Sequence, residues 1–115
     1  MAKLTTRQYE KGGVQVLTLA GSITLGSGDT TVRDMVKDLV AGGHKKILID
    51  LGGVTFMDST GLGEMVAAYS HAKGQQASMK LCSLTKKIDD LMQITQLASV
   101  FETYESVDEG LSSFN

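Results

Sequence analysis

Proline and tryptophan are absent from this chain of 115 residues, and cysteine occurs once, as Cys82. A lone cysteine has no internal partner, so a disulfide framework is excluded and a reducing cytoplasm is expected. Without proline, the turns fall to the 13 glycines and to Asn, Asp and Ser. Long apolar runs are missing too. Val14–Ala20 and Ile47–Ile49 are far shorter than the roughly 20 residues of a membrane helix, and Met1–Thr6 has no signal-peptide core. No membrane association is therefore expected. No His and Cys cluster has zinc spacing, which leaves no metal site to expect. Eleven Lys and Arg nearly balance 13 Asp and Glu, a net charge of -2. With no basic excess, nucleic acid is an unexpected partner. What is present is 42% apolar and 21% charged residues, which excludes a disordered chain. The length suits a single domain, 1–115, able to bury about two-thirds of its unfolded surface without staples.

The pattern along the chain alternates strands and helices. Leu4–Tyr9 is mostly polar and predicts an edge strand, and Lys11-Gly12-Gly13 is a hairpin signal before the more apolar Val14–Ala20. Gly21–Gly28 is expected to be a loop. Asp29 or Thr30 can cap a helix whose Val32, Met35, Val36, Leu39 and Val40 share one face, stopped by Gly42-Gly43. Ile47–Leu51 reads as a central strand. A second helical stripe carries Leu62, Met65, Val66 and Tyr69 up to Gly74, and Ala77–Cys82 is a third core strand. Thr85 can cap a helix with Ile88, Leu91 and Met92. Val100–Tyr104 is a short strand, and Val107, Leu111 and Phe114 mark a terminal helix. The order β-β-α-β-α-β-α-β-α implies an α/β fold: a mostly parallel sheet with an antiparallel N-terminal edge strand and four helices.

Several chemistries fail on this pattern. Gly26-Ser27-Gly28 lies between strand and helix, but Thr31 replaces the third glycine of a dinucleotide fingerprint and Asp29 would repel a phosphate. No Gly-Lys-Ser/Thr exists for a phosphate loop, so no cofactor is expected. Ser59 stands at a strand–turn–helix junction, yet Met57 occupies the first glycine position of a nucleophile elbow. His44 precedes the strand leading to Ser59, about 20 Å away at 3.3 Å per residue. His71 is twelve residues further along the helix, about 18 Å at 1.5 Å per residue. Neither is within the reach of a general base, and no catalytic residue is expected. Cys82 and the methionines Met35, Met65 and Met92 fit core filling.

One segment remains. Asp58-Ser59-Thr60-Gly61-Leu62-Gly63 opens the second helix, where Ser59 can serve as its N-cap. Gly61 and Gly63 are unfavourable in a first turn by up to about 1 kcal/mol each relative to Ala. They would also leave bare backbone around the hydroxyl, open to another protein. Local rules leave both readings of Ser59 standing.

Phe56-Met57-Asp58-Ser59-Thr60-Gly61-Leu62-Gly63, preceded by Ile47-Leu48-Ile49-Asp50-Leu51, resembles the signature of STAS-domain proteins, the bacterial anti-sigma factor antagonists. The resemblance extends over essentially the whole chain, including the hairpin, Gly21, and Leu81 to Leu97. It implies a STAS-like fold and a non-enzymatic partner switch. By position, Ser59 is the implied phosphoacceptor and Asp58 its acidic neighbour. An anti-sigma factor that is also a serine kinase would modify Ser59, and a serine phosphatase would reset it. The unphosphorylated chain, a monomer when free, would bind that kinase and release the sigma factor. Asp58, Thr60, Gly61, Leu62 and Gly63, with Ser22 and Thr24 in the preceding loop, are the implied partner-binding set. Family members often carry acidic residues in that loop, whereas Gly21-Ser22-Ile23-Thr24 has none. Two other readings are a STAS scaffold or regulatory module with a non-sigma partner, and a hydrolase using Ser59.

Overall fold

The computed structural model describes residues 3–25 and 29–114, so the Gly26-Ser27-Gly28 stretch lies outside the described residues. Five strands and four helices follow the expected order: β1 (Thr5–Lys11), β2 (Val14–Ile23), α1 (Asp29–Ala41), β3 (Lys46–Met57), α2 (Ser59–Gly74), β4 (Ser78–Cys82), α3 (Lys86–Ile94), β5 (Thr103–Tyr104) and α4 (Val107–Ser112). The sheet runs β1-β2-β3-β4-β5. The hairpin pair β1 and β2 is antiparallel, joined where Lys11 faces Val14. The other three pairings are parallel.

Alternation along β3 sends neighbouring side chains to opposite faces. Ile47, Ile49 and Leu51 join Leu17, Leu19 and Leu81 beneath residues of α1, α2 and α3, among them Val36, Met65, Ile88 and Met92. Leu48 points the other way, into a smaller cluster with Val14, Val16 and Cys82 that α4 covers. Cys82 is fully buried there, and that burial pushes its thiol up to about 11. Its place in the core is as expected.

Both long strands overrun their expected ends. Gly21 belongs to β2, not to a loop, and Gly52-Gly53 lies inside β3. Gly21 has φ +105°, and a Cβ there would collide with the carbonyl of Lys3. Glycine is required by that close approach inside a strand. Against β3, register shifts at Thr18/Ala20 and Gly21/Ser22 flank this position. The last strand is shorter than expected, because Phe101 turns inward to an edge-on contact with Tyr69 at 5.3 Å. Thr85 precedes α3 without a side-chain cap, since its hydroxyl donates instead to the Val54 carbonyl at 3.4 Å.

Candidate functional site

The carboxyl ends of β2 and β3 lie side by side, with Ser22 opposite Phe56 and Ile23 opposite Met57. The two chains are then tied together by Asp58. Its amide donates to the Ile23 carbonyl at 3.3 Å. Its Oδ2 accepts from the Leu25 amide at 3.0 Å and its Oδ1 from the Gly61 amide at 2.8 Å. One carboxylate thus satisfies an orphan donor of α2 and fixes the turn that leaves β2. The Leu25 amide first, then that of Gly61, hold its carboxyl below the usual 3.8.

Asp58 is therefore the N-cap of α2, and the expectation of Ser59 in that role is corrected. Both residue types cap well. Asp58 wins because its two oxygens reach two amides, one of them in the turn that follows β2. Ser59 becomes the first helical residue and is exposed. The Gly61 amide binds Asp58 Oδ1 and the Leu62 amide binds the Asp58 carbonyl at 3.0 Å, so neither is free.

The two glycines differ. A Cβ on Gly61 would overlap the Ile23 carbonyl, so this glycine lets α2 seat on β2 and is not bare backbone for a partner. Gly63 is exposed, and a Cβ there would meet nothing within 4 Å. Leu62 is 2% exposed and belongs to the core. Thr60 and Asp58 are half-buried. Ser22 and Thr24 lie beside the site as expected, but at 1% and 6% exposure they offer almost no surface, and their expected place on an exposed loop is corrected. Ser22 is buried because β2 continues to Ile23 instead of breaking at Gly21, and Thr24 follows directly on the strand end.

Beside the exposed Ser59 and Gly63, further surface at this end of the sheet comes from residues outside the expected set. Leu25 is 73% exposed, one bond from Asp58, and Phe56 is 39% exposed two residues before it. Phe56 and Met57 continue into a shallow groove of about 210 Å³ with Lys87, Leu91 and Ile94 of α3. An apolar side chain at the end of a strand, next to a turn, was the available signal for both Leu25 and Phe56. On the helical side, Arg33 Nη1 of α1 pairs with Glu64 Oε2 of α2 at 3.0 Å.

No histidine comes near this site. His71 lies in the last turn of α2, twelve residues from Ser59, about 18 Å along the axis. His44 precedes the amino end of β3, with Nδ1 at 3.4 Å from Gln15 Nε2. A concavity of about 650 Å³ between Leu84, Lys86, Thr103 and Glu105 includes none of Asp58–Gly63. No helix is long and apolar enough to cross a membrane among the described residues.

Comparison with known proteins agrees with this architecture. An anti-sigma-B factor antagonist of Bacillus subtilis is 30% identical over 93 residues, 81% of this chain and 84% of that one. One of Listeria monocytogenes is 39% identical over 54 residues, and the match spans about half of each chain, 47%. The solved structure of an anti-sigma factor antagonist from Mycobacterium paratuberculosis superposes with a TM-score of 0.85 at 23% identity, covering 96% of this chain and 93% of that one. The STAS domain model matches residues 6–110. The chain belongs to the STAS domain family.

Proposed function

We propose that this protein is an anti-sigma factor antagonist switched by phosphorylation of Ser59. The observation that carries this reading is the pairing of an exposed Ser59 with a fixed Asp58 at the start of α2. The unphosphorylated surface, with the neutral Ser59 hydroxyl and the exposed Leu25, Phe56 and Gly63 at the same end of the sheet, docks on an anti-sigma factor that is also a serine kinase. Sequestering that protein releases its sigma factor in the cytoplasm. In this reading the chain acts by binding and not by catalysis.

Phosphorylation adds about -1.5 to -2 charges at neutral pH. Asp58 already occupies the Gly61 amide, so the new phosphoryl group stands beside a carboxylate and not in its place. A partner surface shaped for one charge then meets a dense negative cluster, and like charges oppose docking. Because Ser59 points outward from the first turn, the fold has no reason to rearrange. A phosphatase that removes the group restores binding.

Incubation with ATP and the anti-sigma factor of the same genome, followed by peptide mapping, tests the assignment. One phosphate on Ser59, absent from Ser59→Ala, is the expected result. Phosphate on Thr60, or a Ser59→Ala protein still modified, contradicts it.

A further inference from the structure

Far from Ser59, on the sheet face that α4 covers, Lys80 is only 9% exposed. A buried ammonium needs compensating partners. Among the described residues, its partners come from one stretch of chain. Nζ donates to the Ser113 carbonyl and to Ser113 Oγ, both at 3.1 Å. It lies 4.4 Å from the Phe114 ring centre, 5.7 Å from that of Tyr104 and 3.9 Å from Glu102 Oε2. The Ser113 carbonyl is at the carboxyl end of α4, where a cation also meets the negative end of the helix dipole.

The same stretch has little else to hold it. β5 has two residues and α4 six, too short for a helix to persist without packing. Its ladder to the sheet includes the Leu81 amide to the Glu102 carbonyl at 3.0 Å and the Ser83 amide to the Tyr104 carbonyl at 2.9 Å. Underneath, Tyr104, Val107, Leu111 and Phe114 pack on Val14, Val16, Leu48 and Cys82, a cluster separate from the main core. Gly110 presses against Leu48, with room for no side chain: a Cβ would stand 2.7 Å from its Cδ1.

We propose that residues 102–114 form a strap, latched by Lys80, that opens as a unit before the rest of the molecule unfolds. Opening uncovers the apolar strip Val14, Val16, Leu48 and Cys82. Segments of low local stability open sub-globally when few contacts tie them to the core. This proposal is independent of the role given to Ser59.

Cys82, the one thiol of the chain, reports the opening directly. Thiol labelling and native-state amide exchange would be followed together in low denaturant on the whole chain. Cys82 and the amides of Leu81 and Ser83 should exchange through a common opening, with a smaller denaturant dependence than the amides of Ile47–Ile49. Lys80→Ala should speed Cys82 labelling at least about tenfold, the scale of a lost charge-assisted hydrogen bond, with little change at Ile47–Ile49. Phe114→Ala, which leaves the ammonium in place, should act in the same direction. If Cys82 exchanges with the same free energy and denaturant dependence as Ile47–Ile49 in the unaltered protein, no strap opens. Labelling unchanged in both variants overturns the latch.

Discussion

Asp58 and Ser59 are adjacent, and both residue types favour the start of a helix. Their roles separate only when tertiary contacts are known. The Leu25 amide that binds Asp58 Oδ2 is 33 positions away, beyond the reach of a local rule. The consequence is measurable. Ser59→Ala removes the hydroxyl without removing a cap, and as an exposed substitution it should change stability by no more than about 0.5 kcal/mol. Asp58→Ala should lower Tm distinctly more, because two amides lose their acceptor. The charge has its own signature in pH. The fold holds the Asp58 carboxyl below 3.8, so its contribution is present above that value and is lost as pH falls through the lower folded value. The Tm gap between the unaltered protein and Asp58→Asn should narrow as pH falls below 3.8, and thermal melts at a constant gap would contradict this.

The glycines of the motif make a second contrast at this scale. Gly61→Ala drives a methyl into the Ile23 carbonyl and should destabilise by about 1–3 kcal/mol, the range of overpacking. Gly63→Ala meets open space and should be neutral or stabilising by up to about 1 kcal/mol, from helix propensity alone. Chemical denaturation of both variants decides. Equal effects would mean that the α2–β2 contact is not what selects Gly61.

Among the elements, order and pairing were legible, because the apolar spacing of α1 and α2 and the Gly12-Gly13 turn are local signals. Strand ends were not. Gly21 and Gly52-Gly53 resemble turns in sequence, whereas here they sit within strands, Gly21 and Gly53 where backbones approach closely. That misreading placed Ser22 and Thr24 on a surface loop. Their burial changes what an experiment there should find. Ser22→Glu puts an unpaired charge at a site 1% exposed and should lower stability by several kcal/mol, well beyond a typical surface change. Leu25→Asp, at 73% exposure, is the substitution that should weaken partner binding while leaving the melting curve nearly unchanged. A Ser22→Glu protein as stable as the unaltered one would show that β2 ends before Ser22.

For the whole molecule, the two faces of the sheet have different tasks. The face under α1, α2 and α3 holds the main core and projects Asp58 and Ser59 from its carboxyl edge, where parallel sheets place binding sites. The other face is closed by a short helix over four buried residues. A switch on a rigid edge needs no motion through the core. High salt should therefore partly restore the binding lost on adding charge at Ser59, because exposed charges are screened over about 8–10 Å.

The central claim, that modification of Ser59 changes a surface and not a fold, is tested most directly by one titration. The phosphorylated and unphosphorylated proteins would be titrated in parallel against the anti-sigma factor, with amide chemical shifts recorded for each free form. The account predicts affinity lower by about tenfold or more, a coupling within the usual 1–3 kcal/mol, and shift changes confined to residues near 54–66 and the adjoining end of β2. Equal affinities, or shifts spread through α1, β4 and α3, would contradict it.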